Sequence, residues 1–497
     1  MIKTIRTYLA DKKNLMLFVV FIVICAFNFH LVINHECWRD EAQAWLIARD
    51  CTLTADSLFT VTAYEGHPAL WFLILMPFAK LGAPYYSLKF ISLLFVSLAL
   101  AVFLFATKLP AWFKILFSFT PIFIGFYAVP ARTYSFCAVL IMLIAVLYPH
   151  KEDKPILFGI VLALQLQTLT IMGGFVVGCC IYWFAETIYF NLIKNKDVKK
   201  LLLNGVGLFL PLLSAIFLLW EFRYIGAVVG GNSIGSVREM AAAIVYAIIE
   251  GAKALYGNYG VLMMFAAFLI LGYIAVSEKC NIGPFLILLI GFLWQCYIYA
   301  YVYSNGNHRV LLWGYMVLWD VAVAKIPNIT VHTGYKYVIV LLAVCLMWNY
   351  EYTNDLIRDL NPHGKYADTT GAANAINELP NDAIIFEISD EYCNGVLPYL
   401  GSGHKVYNPF TKSVATYADR IPENKTFLTY DEFLQIAKEM FPDAEKIYVM
   451  LALESNRIRG IYDQTESDGV TTYYENTRDE FIMYDQYKII EINMKMN

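Results

Sequence analysis

The sequence predicts a polytopic α-helical membrane protein that continues into a soluble α/β domain. Three observations carry this expectation. Of the 497 residues, 59% are hydrophobic and only 16% charged, whereas a soluble domain carries about a quarter charged residues. Apolar runs of membrane-spanning length recur throughout residues 1–350. Beyond them the composition turns polar, and "EYTNDLIRDLNPHGKYADTT" opens a region that runs through residue 497. The net charge of −4 is too small to point to a nucleic-acid partner.

The opening "MIKTIRTYLADKKN" is basic and precedes the first apolar run. That run is long and no small-x-small cleavage site follows, so the segment reads as an uncleaved signal anchor with a cytoplasmic N-terminus. Candidate spans fall at 15–33, 86–106, 112–130, 132–148, 155–170, 173–190, 201–220, 260–276, 283–303, 309–324 and 336–349. The basic loops "HKEDKP" (150–155), "KNKDVKK" (194–200), "SEKCN" (277–281) and "AKIPNITVHTGYK" (324–336) mark the cytoplasmic side. The apolar stretch "PALWFLILMPFAKL" (68–81) is short and contains Pro77. Counted as a crossing, it would put Lys108 and Lys114 outside, against the loops downstream. It is therefore read as a juxtamembrane or re-entrant helix, whose backbone is tolerated where protein covers it. The segment 241–256, with Glu250 and Lys253, is read as interfacial. Parity then gathers loop 34–85, the turns near 130–133 and 168–173, loop 221–259 and "SNGNHR" (304–309) on the outer side, together with the C-terminal region.

In that region "TTGAANAINEL" reads as a helix capped by Thr369 or Thr370. "AIIFEI", "KIYVMLAL" and "YKIIEINM" read as strands, with "YDEFLQIAKEMF" as a helix between them. The alternation suggests a small α/β layer domain over 351–497. The ten cysteines are scattered. Cys37 and Cys51 flank one candidate helix, which would hold them about 21 Å apart, too far for a disulfide.

That helix lies in "ECWRDEAQAWLIARD" (36–50). On a helical wheel Trp38, Ala42 and Trp45 share one face, and Arg39, Asp40, Gln43, Ile47 and Asp50 the other, with Glu41 at the border. The pattern is that of an amphipathic helix on the outer surface, presenting Asp40 over whatever cavity the spans form. Acids in a first turn also favour the helix dipole, which is a purely structural use for both. Against that use stands a convergence on the same side. "YEGHPALW" (64–71) brings Glu65 and His67, "VPARTY" (129–134) brings Arg132, and "GNHRV" (306–310) brings His308 and Arg309. Arg39 and Lys89 are further cations of the same loop and the span after it. A lipid phosphate needs Arg, Lys or His around its oxygens. An acceptor group must lose a proton, which Asp40 could take as general base, while cations hold the departing phosphate. No cluster has clear metal-ligand spacing; Asp40 and Glu65 are the carboxylates that could hold a divalent ion, Mg or Mn.

"RDEAQAW" and "YEGHPALW", set between an N-terminal span and a helical bundle, resemble the C-type glycosyltransferases (GT-C fold) that use polyprenyl-phosphate sugars. That group includes protein O-mannosyltransferases and lipid A aminoarabinose transferases. The likeness covers most of 1–350 in layout, and its specific part is 36–71. The span count above comes to about eleven, and the resemblance makes these a GT-C-like module with loop 34–85 carrying the catalytic helix. It puts the catalytic carboxylate on Asp40 with Glu41 as partner, and Glu65 and His67 in the second loop element. It sets His308 and Arg309 near the donor phosphate. The family has polar or acidic residues where "AVPARTY" stands, so Arg132 occupies that place and a second metal-binding acid is missing. The implied reaction is an inverting displacement that moves a hexosyl or pentosyl group from a polyprenyl phosphate to a glycan, lipid or protein of the cell envelope, at the outer face of the plasma membrane. The alternative is a lipid-linked sugar flippase or transporter, which would place polar residues near mid-membrane in broken helices or paired halves. Here Gln165, Gln167 and Thr168 lie near an outer end, and Gln295 is the deepest. An anchored scaffold protein would leave the polar clustering of loop 34–85 unexplained.

Overall fold

The computed structural model describes residues 11–125, 127–223, 236–277, 282–301, 312–323, 331–348, 356–357, 360, 367–421, 426–453, 457–464, 468–476 and 485–495. Two compact units emerge. Met1–Val32, Gly66–Pro68 and Phe90–Leu356 make the first; Ile33–Glu65, Ala69–Lys89 and Ile357–Asn497 make the second.

The first unit is helical. Among the described residues, six helical stretches of the chain are long and apolar enough to cross a membrane: Lys12–Asn34, Ser87–Ala106, Thr170–Lys194, Val198–Glu221, Val237–Ser277 and Ile282–Tyr301. Shorter apolar helices span Tyr134–His150, Pro155–Leu166, Leu312–Val323 and Gly334–Cys345. In Lys12–Asn34 the buried residues Leu17, Val20, Ile24, Asn28 and Leu31 recur at helical steps and form one stripe. Leu15, Phe18, Val19 and Ile22 are exposed on the other side. The same helix is thus apolar all round but packed on one face, as a span between protein and lipid must be. Leu312–Val323 is buried on nearly every residue, the pattern of a helix enclosed by others. The segment 241–256, read from the sequence as interfacial, lies within the helix Val237–Tyr256, whose chain turns at Gly257 (φ 68) before the helix Gly260–Ser277 begins.

The expected span 112–130 is not one helix. The helix Ala111–Ser118 ends there, and turns follow. Pro121 disfavours helical backbone at Thr120, and Gly125 takes φ 81, open to glycine at little cost. The freed backbone groups find partners inside the bundle. Asn28 Nδ2 donates to the Phe123 carbonyl (2.8 Å), and its Oδ1 accepts from the Gly125 N–H (3.2 Å). Tyr315 donates its hydroxyl to the Ile122 carbonyl at 2.6 Å. Irregular backbone can persist in such surroundings because protein satisfies it.

The second unit contains a six-stranded mixed sheet in the order β3-β2-β1-β5-β8-β7. Its strands are β1 (Ile385–Glu387), β2 (Val406–Asn408), β3 (Ser413–Val414), β5 (Lys446–Ala452), β7 (Val470–Glu475) and β8 (Tyr487–Asn493); β4 (Leu428–Thr429) and β6 (Ile458–Arg459) form a separate parallel pair. β1 runs parallel to β2 and β5, and β8 antiparallel to β5 and β7. Strand alternation gives the sheet two cores. Tyr448, Met450 and Ala452 face one core, with Ala372, Ala373 and Ile376 of the helix Thr369–Asn377. Ile447, Val449 and Leu451 face the other, with Phe433, Leu434 and Ala437 of the helix Tyr430–Met440. The three expected strands and both helices are present, and the N-cap of the first helix falls at Asp368, one residue before Thr369. Leu46 of the helix Arg39–Asp50 enters the first of these cores. Leu70–Lys80 spans 11 residues, about 16 Å, roughly half the hydrocarbon thickness of a bilayer.

Candidate active site

The helix Arg39–Asp50 carries the acid pair. The wheel gives it an open polar face, yet residues 41–48 are all buried, Gln43 and Ile47 included. Trp45 packs against Tyr85, with ring centroids 5.9 Å apart, and Leu46 sits among residues of the C-terminal sheet. The second covering comes from chain more than three hundred residues away, which no local periodicity reports. Asp40, like Arg39 before it, is only partly covered: its side chain is 28% exposed and that of Arg39 19%.

Glu41 is fully buried. Its Oε2 accepts from the Trp38 N–H (3.1 Å) and lies 3.1 Å from His35 Nε2. The first contact satisfies a helix-start donor in the manner of a capping box. The Lys89 ammonium donates to the His35 carbonyl. Glu41 and Lys89 therefore both hold the turn that leads into the helix.

Arg39 is anchored at both ends of the residue. Its N–H donates to Asp485 Oδ2 at 3.2 Å. Its guanidinium lies 4.1 Å from the Tyr392 ring centroid, and its Nε 4.0 Å from Asp40 Oδ1. Burial opposes the charge on Arg39, but Asp40, Asp485 and Tyr392 outweigh it, and the pKa is raised. Burial pushes the Asp485 carboxyl up to about 7, against the opposing pull of Arg39. Upstream, Glu36 Oε1 accepts from the Thr370 N–H (2.6 Å) and the Thr369 hydroxyl (3.3 Å), at the positive end of a helix.

Gln43 and Glu65 form a buried node. Gln43 Nε2 donates to Glu65 Oε1 (2.5 Å) and to the Ala418 carbonyl (2.9 Å); its Oε1 accepts from Asn394 Nδ2 (2.9 Å) and the Ala418 N–H (2.7 Å). Arg420 Nε lies 3.5 Å from Glu65 Oε1, and its Nη1 2.5 Å from Glu391 Oε1. Gln43, Asp485, Tyr392, Asn394 and Arg420 were not expected as site residues.

In the first unit, Arg132 Nη2 lies 3.0 Å from His67 Nε2. Arginine only donates, so His67 accepts through Nε2 and keeps its ring proton on Nδ1. Ser135 donates its hydroxyl to the Arg132 carbonyl at 3.0 Å, fixing the backbone below the guanidinium. Asp40, Glu41, Arg39, Glu65 and Lys89 belong to the second unit, His67 and Arg132 to the first. His308 and Arg309 lie outside the described residues. Among the described residues no three His, Cys, Asp or Glu side chains group as a metal site.

No known protein family and no curated protein matches the sequence. Among solved structures the chain is similar to ArnT from Cupriavidus metallidurans bound to undecaprenyl phosphate, with a TM-score of 0.51 and 12% identity over 96% of this chain and 97% of that one. At that identity the likeness concerns the fold alone, and the fold is the polytopic GT-C architecture.

Proposed function

We propose that the chain is an integral-membrane glycosyltransferase that takes a sugar from a polyprenyl-phosphate donor and passes it to a cell-envelope acceptor at the outer face of the membrane. The observation that carries this reading is the end-to-end fold likeness to ArnT, a protein whose structure holds undecaprenyl phosphate. The acceptor's nucleophilic atom attacks the anomeric carbon from the face opposite the phosphate. Asp40 takes the acceptor's proton, the bond from the anomeric carbon to the phosphate oxygen breaks, and polyprenyl phosphate leaves with the electron pair. Configuration inverts. Arg132, steadied by His67, holds the leaving phosphate as its charge grows. Glu41 and Lys89 keep the catalytic turn in shape. The transporter reading gains no support from the amides of the spans. Gln167 donates to the Ser214 hydroxyl (3.0 Å), Gln165 to Cys137 Sγ (3.0 Å) and Gln295 to the Tyr299 hydroxyl (3.1 Å), all within the bundle.

A purified-protein assay over a panel of polyprenyl-phosphate sugars tests the function directly. Release of polyprenyl phosphate coupled to acceptor glycosylation is expected for at least one donor. Absence of transfer across the panel, with lipid-linked sugar moving across vesicles instead, would establish the transporter. Arg132→Ala should raise the donor KM by roughly tenfold to a hundredfold, the worth of a charge-assisted hydrogen bond, with a smaller effect on the acceptor KM. An unaltered donor KM would take Arg132 out of the phosphate site.

A divalent ion on Asp40 and Glu65 does not suit the donor set. Glu65 is buried, takes a hydrogen bond from Gln43 and faces Arg420, so its charge is already balanced. Transfer should persist through exhaustive chelation. Loss of activity in chelator, restored by Mg or Mn, would place the ion there.

A further inference from the structure

We propose that Asp485 and Tyr392, both in the C-terminal domain, are positioning residues for Asp40, so that the domain forms part of the framework of the reacting carboxylate. The inference rests on the glycosyltransferase reading for its chemical meaning, and on geometry within the second unit for its support.

Asp40 is the second residue of its helix, and its place is set by the residue before it. Asp485 takes the Arg39 N–H, and Tyr392 takes the face of the Arg39 guanidinium. Each of these two is itself fixed. The Asp485 carbonyl accepts from the Asp368 N–H at 3.0 Å, and the Asp368 carboxylate accepts from the Tyr474 hydroxyl at 2.8 and 3.0 Å. The Tyr392 carbonyl accepts from the Tyr487 hydroxyl at 2.9 Å, and Tyr487 is a fully buried residue of β8. An unbroken series of contacts therefore runs from the sheet through Tyr487, Tyr392 and Arg39 to Asp40. Gly395 allows the backbones to close: a Cβ there would meet Thr369 at 2.9 Å and the Arg39 Cα at 3.5 Å.

Stability alone would not favour a carboxyl at position 485. Asp485 is fully buried, and its Oδ1 has no hydrogen-bond partner among the described residues. An apolar side chain of similar volume in such a place is often neutral or stabilising. What Asp485 supplies instead is an acceptor aimed at one N–H, next to the residue whose oxygen must meet a proton. Arg39 likewise spends its charge on Asp40 and Tyr392, which makes it a holder of the carboxylate rather than a ligand of the donor phosphate.

The test uses the full-length protein in detergent, with Asp485→Leu and Tyr392→Ala. Two readouts are taken: the kcat and donor KM of transfer, and amide hydrogen exchange of peptides covering 38–44. Both variants should lower kcat by up to about a hundredfold, the effect of misplacing a reacting group by an ångström, with donor KM unchanged. Exchange in 38–44 should quicken while β5 and β8 stay protected. Asp485→Asn keeps an oxygen for the Arg39 N–H and should recover both. Unchanged exchange in 38–44 with unchanged kcat overturns the proposal, and so does a loss of protection spread over the whole sheet. If Asp485→Leu does not fold, Tyr392→Ala, which trims a partly exposed ring, decides on the same readouts. Exchange is measured without donor. A wild-type protein inactive on every donor would overturn the glycosyltransferase reading, and exchange would still decide whether Asp485 and Tyr392 hold the Asp40 turn.

Discussion

Asp40→Asn should leave a folded, inserted protein that has lost transfer. The change keeps the size and shape of the side chain and removes its basic oxygen. Asp40 is partly exposed, and its ion pair with Arg39 is 4.0 Å long, so little folding energy hangs on its charge. A general base contributes about 10²–10⁴-fold to rate, and that is the expected fall in kcat, with donor KM close to wild type. Glu41→Gln provides the contrast. Glu41 is buried with His35 and receives the Trp38 N–H, so its loss should appear first in stability. The two adjacent acids are therefore separable: one moves kcat, the other moves the unfolding transition. Normal transfer by purified Asp40→Asn would end the assignment of Asp40 as base.

What could be read in the sequence was what neighbouring residues encode. The span at 15–33, the strand over "KIYVMLAL" and the helix over "YDEFLQIAKEMF" are local patterns, and helix Lys12–Asn34, β5 and helix Tyr430–Met440 stand where the sequence puts them. The span expected at 112–130 failed for a reason only partly local. Its hydropathy is that of a crossing, but Pro121 and Gly125 break it, and Asn28, some 95 residues earlier, accepts the broken backbone. The acid pair and the His67–Arg132 pair rest on motifs and span ends, so they could be picked out. Their supports could not. Gln43 meets Ala418 across 375 residues of chain, and Arg39 meets Asp485 across 446. An amphipathic pattern says that one face is polar; it does not say whether water or another protein layer lies against that face. Gln43 looked like solvent-facing polarity and is instead a buried amide whose oxygen and nitrogen each make two hydrogen bonds.

That amide carries the second large expectation. Gln43→Leu should destabilise the second unit by about 3 kcal/mol or more, within the range of a broken buried network. Leucine fills the volume but supplies neither donor nor acceptor. The substitution strips a hydrogen bond from the Glu65 carboxylate, from Asn394 Nδ2, and from the N–H and carbonyl of Ala418. A buried polar group left without its partner costs about 1–3 kcal/mol, and relaxation around the site keeps the total below the sum of the four. Glu65 would then depend more heavily on Arg420, whose guanidinium also serves Glu391. Hydrogen exchange of β1 and β5 in full-length protein, with denaturant-dependent loss of protection, reads the change in the unit that holds the network. The outcome also bears on the reaction. Gln43 lies three residues after Asp40, one turn along the same helix, so loosening it should lower transfer together with stability, whereas Asp40→Asn lowers transfer alone. Wild-type protection in Gln43→Leu would mean that the helix Arg39–Asp50 does not depend on Ala418 and Asn394 for its place, and the framework proposed for Asp40 would then lose its second point of attachment.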